Sequence, residues 1–166
     1  DVLDGLKGSV AIGHNRYATC GAKNWQNLQP FMATFLDSCF AVAHNGNLVN
    51  AGELRASLEK TGAIFSASSD TEVIMHLIAR AVEQSKVADK VREALAQVRG
   101  AYSLVALTRT SLIAVRDPAG VRPLSLGRIG EGYVVASETC AFDLLGAEYI
   151  RDIEPGEILE IKLDGT

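Results

Sequence analysis

At Gly100 the spacing of apolar residues changes, and that change constrains the fold more than any other feature of the chain. Ahead of it the spacing is helical. Ser69-Asp70-Thr71-Glu72 has the form of a capping box, after which Val73, Ile74, Leu77, Ile78, Ala81 and Val82 share one helix face. Val87, Val91, Leu95 and Val98 predict a following helix, and Leu54 and Leu58 an earlier one capped by Asn50, with Glu53 three residues on. Behind Gly100 the pattern is that of strands, over 101–107, 111–117, 124–126, 133–137, 148–152 and 158–161. Turn residues separate them at Thr108-Arg109-Thr110, Asp117-Pro118-Ala119-Gly120 and Glu154-Pro155-Gly156-Glu157. Short strands at 10–12 and 40–43 come before the helices, with a polar loop over 13–30 whose length suits a functional lid. Strands, a helical block and more strands do not alternate as βαβ units. They predict an α+β fold, antiparallel sheet with helices layered on it.

The 166 residues suffice for one domain, and a net charge of -4 with scattered basic residues argues against a nucleic-acid partner. No apolar run is long enough for a membrane span. Cys20, Cys39 and Cys140 form no Cys-x-x-Cys pair, which favours a reducing, cytoplasmic setting, and Cys20 reads as a bystander thiol. His14, His44 and His76 have no metal-ligand spacing, so no metal site is expected. Glu72 and His76, four apart, read as a surface pair, and Gly127 to Gly132 as a hairpin turn.

Chemistry concentrates in two motifs, Gly13-His14-Asn15-Arg16-Tyr17-Ala18-Thr19 and Ala43-His44-Asn45-Gly46-Asn47. Arg16 offers a fork that fits a carboxylate, although a lone arginine is more often a surface ion-pair residue. Asn45 and Gly46 offer a side-chain amide and an unshielded N–H, donors for an oxyanion hole; Asn-Gly is equally a hairpin turn. Asp70 at a helix start is commonly a capping residue, and it can also receive an ammonium group. Tyr17 and Thr19 touch a ligand or order the loop after Arg16.

In combination these segments resemble the glutaminase domain of the glutamine phosphoribosylpyrophosphate amidotransferases. The resemblance rests on the two motifs together with Asn27-Leu28-Gln29-Pro30, Ser68-Ser69-Asp70-Thr71-Glu72, Arg99-Gly100-Ala101-Tyr102, Arg116-Asp117-Pro118-Ala119-Gly120-Val121-Arg122-Pro123-Leu124, Ala136-Ser137-Glu138-Thr139-Cys140-Ala141-Phe142-Asp143 and Ile153-Glu154-Pro155-Gly156-Glu157, all in the family's order. It extends from about Gly8 to the end. The glutaminase of the hexosamine-forming amidotransferases is the near alternative, but it typically has Trp at the place of Tyr17 and lacks the Arg122-Pro123-Leu124 stretch in this form. A non-catalytic glutamine- or partner-binding domain of the same fold is the other alternative.

The resemblance implies a four-layer αββα fold of the N-terminal-nucleophile (Ntn) hydrolases, two antiparallel sheets between helical layers. It implies that a terminal cysteine attacks glutamine and that the ammonia released passes to a phosphoribosyltransferase domain. By position, Arg16 holds the glutamine carboxylate, Asp70 its ammonium, and Asn45 and Gly46 the oxyanion, while Tyr17 and Thr19 lie on the closing loop. The implied nucleophile precedes Gly8 and this sequence opens at Asp1. The expectation is therefore a partial domain, truncated at its N-terminus, without the transferase domain and inactive by itself. No cofactor is expected in these residues, while the parent enzyme is expected to be a homo-oligomer using Mg2+ in its other domain and, in some members, an iron–sulfur cluster.

Overall fold

The structure is a computed structural model that describes residues 5, 7–15, 25–35, 38–81 and 86–163. A 3-10 turn at Trp25–Asn27 leads into strands β1 (Phe31–Phe35) and β2 (Ser38–Leu48). Helices α1 (Ala51–Lys60), α2 (Asp70–Arg80) and α3 (Val87–Leu95) follow. After Gly100 come β3 (Gly100–Leu107), β4 (Ser111–Arg116), β5 (Ser125–Ile129), β6 (Gly132–Ala136), helix α4 (Cys140–Leu145), β7 (Glu148–Asp152) and β8 (Ile158–Lys162). The described strands form two antiparallel sheets, a five-stranded one ordered β1-β2-β3-β4-β8 and a three-stranded one ordered β6-β5-β7.

Alternation along the strands sorts the two faces of the larger sheet. Val42 and Leu48 of β2, Tyr102 and Leu104 of β3, and Ile113 and Val115 of β4 face one way, and α1, α2 and α3 cover them with Leu58, Ile74, Ile78, Val91 and Leu95. The opposite face carries Val105, Ala114 and Leu159, which meet Leu124, Val135 and Ile153 beside the smaller sheet. Helix α4 packs on β6. No described helix is long and apolar enough to cross a membrane.

The break at Gly100 and the antiparallel α+β layering stand as expected, as do α2, α3 and the hairpins after Gly100. Several local expectations do not. Residues 10–12 form no strand, and the 13–30 loop contains a 3-10 turn in its described part. Asn45 and Gly46 form no hairpin turn: β2 continues straight through them to Leu48. Asn50 makes no side-chain cap on α1, because its amide is spent on Gln97 O (2.9 Å) and the N–H of Arg99 (2.9 Å). Glu72 and His76 form no surface pair: the Glu72 carboxylate is buried on the N–H groups of Ser66 and Ala67, both at 2.8 Å, and His76 lies against Phe65. Glu72 has thus turned away from the reach-back of a capping box, while Ser69 Oγ accepts the Thr71 N–H as an N-cap should. Gly127 belongs to β5, so the expected 127–132 turn shrinks to the residues between Ile129 and Gly132. Helix α4 adds an element that the apolar pattern does not announce. Val82, expected on the α2 face, lies outside the described residues.

Candidate active site

The site is built on the outer edge of β2. β1 pairs with β2 only as far as Phe31 opposite Val42, since Pro30 has no N–H to extend the ladder. Beyond that point side chains stand in for a strand. Gln29 Oε1 accepts the His44 N–H at 2.7 Å, and Gln29 Nε2 donates to His44 O at 3.3 Å. His14 Nε2 donates to the same carbonyl at 3.1 Å. Four residues on, Asp70 Oδ2 accepts the Leu48 N–H at 3.0 Å. Backbone groups of alternate residues in an antiparallel strand point to the same side. The Gly46 N–H therefore points to this open edge, between His44 and Leu48, and no described strand or side chain takes it.

Gly46 has no substitute at this point. Its φ of 155° suits glycine, and a Cβ would come within 2.2 Å of Ala101 O and 2.7 Å of Tyr102 Cα on β3. Asn45, one residue earlier, faces the opposite side of the strand beside Ser103. Its amide enters no hydrogen bond among the described residues, so a second donor is free.

Asp70 opens α2 and is placed from three directions. Ser69 caps the helix, Glu72 fixes the preceding backbone at Ser66 and Ala67, and Asn27 clamps Ser68 through Nδ2 to Oγ (3.0 Å) and Oδ1 from the Ser68 N–H (3.1 Å). Burial alone would raise the Asp70 pKa. The His44 ring, 3.6 Å away at Nδ1, and the N–H groups of Leu48 and Thr71 outweigh burial and hold the carboxyl below its ordinary value. Asp70 is thus an anion at neutral pH, suited to a cation.

Asn45, Gly46 and Asp70 line one cleft of about 1080 Å³ that continues between the sheets to Arg122, Ser137 and Glu138. That is ample space for an amino-acid ligand. Arg16, Tyr17 and Thr19 lie outside the described residues, as does Cys20. Sequence reasoning gives no role to His44, Gln29 or Asn27 and reads Glu72 as a capping-box and surface residue, yet these four hold the site together. Among the described residues no group of three His, Cys, Asp or Glu could hold a metal ion.

Residues 14–143 match a family described as a glutamine amidotransferase domain. An amidophosphoribosyltransferase of Bacillus subtilis is 49% identical over 164 residues, covering 98% of this chain and 34% of the relative. An Arabidopsis thaliana relative, amidophosphoribosyltransferase 2, chloroplastic, is 51% identical over 165 residues, covering 99% of this chain and 29% of its own. The solved structure of the B. subtilis glutamine phosphoribosylpyrophosphate amidotransferase with ADP and GMP superposes with a TM-score of 0.85 at 47% identity, over 92% of this chain and 32% of that one. A second, described as the allosteric regulatory enzyme of purine biosynthesis, gives a TM-score of 0.86 at 48% identity, over 92% and 33%. The chain spans about a third of the length of these relatives, so in them the matched domain is part of a larger enzyme. On its matched residues, its fold and its near relatives, this chain belongs to the glutamine amidotransferase domain family, in the α+β Ntn form found within amidophosphoribosyltransferases.

Proposed function

We propose that this chain is the glutaminase domain of an amidophosphoribosyltransferase, releasing ammonia from glutamine for transfer to phosphoribosylpyrophosphate, the first committed step of purine nucleotide biosynthesis. The observation that carries this reading is the pair of free donors at Asn45 and Gly46, set on a strand edge whose neighbouring positions are already occupied. Attack of a thiolate on the side-chain amide carbon moves an electron pair onto the amide oxygen. Two donors fixed in advance stabilise that oxyanion without having to reorient. Asp70 receives the α-ammonium, its charge kept by the His44 ring and the surrounding N–H groups. Arg16 takes the α-carboxylate, and Tyr17 and Thr19 close over the substrate. The proton taken from the attacking thiol by its base passes to the amide nitrogen, the intermediate collapses with cleavage of the C–N bond to expel ammonia, and water then hydrolyses the thioester to free glutamate and the thiol.

On this reading the phosphoribosyltransferase domain belongs to the same polypeptide, which forms a homo-oligomer in the cytoplasm. The residues 1–166 belong to one glutaminase domain and need no cofactor of their own. A magnesium ion or an iron–sulfur cluster, where the enzyme uses one, is held elsewhere.

Asn45→Ala in the full-length polypeptide tests this. The glutamine-dependent rate is expected to fall about 10²–10³-fold in kcat, the usual consequence of losing one oxyanion donor, with little change in KM. Added ammonia bypasses the step and should restore the rate. An equal loss with glutamine and with ammonia would overturn the assignment.

A further inference from the structure

His44 is a buried histidine to which the glutaminase reaction, as proposed, gives no chemistry. Its side chain is 1% exposed. Nδ1 lies 3.1 Å from Thr71 Oγ1 and 3.6 Å from Asp70 Oδ1. Nε2 is buried without a hydrogen-bond partner among the described residues, and it is the ring atom nearest the place where a Gly46 Cβ would stand, at 2.9 Å. Tyr102 closes the ring off edge-on, with centroids 6.5 Å apart.

Packing alone does not account for this residue. A leucine or methionine would fill a core position of this size without an unsatisfied nitrogen, and an unpaired buried polar atom calls for an explanation. The histidine that fits here directs Nδ1 to the Thr71 hydroxyl, with the Asp70 carboxylate in electrostatic reach at 3.6 Å, and leaves Nε2 facing Gly46. Its ring then spans the distance between the start of α2 and the middle of β2.

We propose that His44 is a positioning residue for glutamine, resting on the glutaminase function proposed for this chain. Through Nδ1 it orients the Asp70 carboxylate that receives the α-ammonium. Through its Nε2 edge against Gly46 it sets the separation between that carboxylate and the oxyanion donors. The same side chain thereby ties recognition of the amino group to the place where the amide reacts. Thr71 keeps the ring in register, held in turn by Ser69 Oγ at 3.1 Å.

The test compares glutamine with glutaramate, which is glutamine without its α-amino group, by calorimetric titration of the full chain. Wild type should prefer glutamine. His44→Leu should weaken glutamine about tenfold, the scale of losing one polar contact to the charged group that receives the ammonium, and leave glutaramate within about twofold. His44→Asn, whose amide can donate from the place of Nδ1, should recover most of the preference. If His44→Leu fails to fold, Thr71→Val removes the hydroxyl at nearly constant volume and should reduce the preference by itself. A purely structural histidine would weaken both ligands by the same factor or neither, and that result, in either variant, overturns the proposal. A wild type that does not distinguish the two ligands, or binds neither, overturns the glutamine reading and this inference with it.

Discussion

The two sheets are held by different forces. In the larger sheet, β4 is buried at every residue from Ser111 to Val115, and both Ile113 of β4 and Ile74 of the covering helix α2 are 0% exposed. In the smaller sheet, β7 is exposed at four of its five positions. Tyr133, Tyr149 and Ile150 of this sheet and Leu144 of α4 are exposed to solvent. What joins it to the larger sheet is a small apolar cluster around Ala114, Leu124 and Ile153, framed by polar brackets. Arg116 of β4 gives hydrogen bonds to the carbonyls of Arg122 (2.9 Å), Ile153 (2.8 Å) and Gly120 (3.0 Å). Where helices cover a sheet, apolar burial carries the stability; where they do not, geometry fixed by charged side chains carries it.

One substitution made in both sheets would break this comparison most directly. Ile113→Ala should cost about 2–5 kcal/mol, since the cavity lies in the main core. Ile150→Ala, on the 43%-exposed side chain of β7, should cost under about 1 kcal/mol. Urea unfolding followed by circular dichroism measures both. Equal costs would mean that the smaller sheet has a core of its own.

The next effect lies in the joint. Asp117 is fully buried and accepts the N–H groups of Ala119 (3.0 Å) and Val121 (3.2 Å) on Oδ1 and of Arg122 (3.0 Å) on Oδ2. Burial pushes its pKa up, but the N–H groups of Arg122, Val121 and Ala119 prevail and hold it below the ordinary value. The unfolded chain therefore takes up this proton at a higher pH than the folded one, near about pH 4. The stabilisation is present in full above that range and is lost as pH falls through the folded value. Asp117→Asn places an amide against N–H donors and should cost about 2–3 kcal/mol at neutral pH. The variant should also lose part of the acid dependence of stability, read from melting temperature between about pH 3 and pH 7. An unchanged acid limb would show that Asp117 is not the group that reports it.

How far the sequence can be read follows the same division. Helices α2 and α3 bury one regular face, which leaves a periodic sequence, whereas β3 and β4 are buried on both faces and show as apolar runs bounded by turn residues. Helix α4 buries only Phe142 and exposes Leu144 and Leu145, so no stripe marks it. β1 is obscured by Met32, an apolar residue 73% exposed in the middle of a short strand. β2 is read short because Asn-Gly is a turn signal in isolation, and only the close passage of β3 reveals Gly46 as strand. Among the residues that line the cleft, Asn45, Gly46 and Asp70 stand out in the sequence through their motifs. The residues that hold them do not, because Gln29 reaches fifteen positions along the chain to His44, His44 reaches twenty-seven to Thr71, and Asn27 forty-one to Ser68. Such contacts have no period.

The smallest predicted effect sharpens the contrast most. Arg151 of β7 meets Glu157, which precedes β8, through Nη1 to Oε2 at 2.7 Å and Nη2 to Oε1 at 2.6 Å, a two-point bracket between the sheets. Glu157 Oε2 also accepts the Glu154 N–H at 2.7 Å, closing the turn. Hydrogen bonding to Arg151 keeps Glu157 ionised below the usual carboxylate range. With side-chain exposures of 41% and 24%, however, both groups are partly solvated, and an exposed pair contributes little. Arg151→Ala should therefore cost about 0.5–1 kcal/mol, shrinking toward zero as salt approaches about 1 M, where screening acts over about 3 Å. Glu157→Ala should cost more, because it also releases the Glu154 N–H from the turn. That difference should survive high salt, since the backbone hydrogen bond it removes is local and its geometry is fixed. If the two variants instead cost the same at every salt concentration, the bracket would be a charge pair alone, and the joint would rest on Asp117, Arg116 and the small apolar cluster.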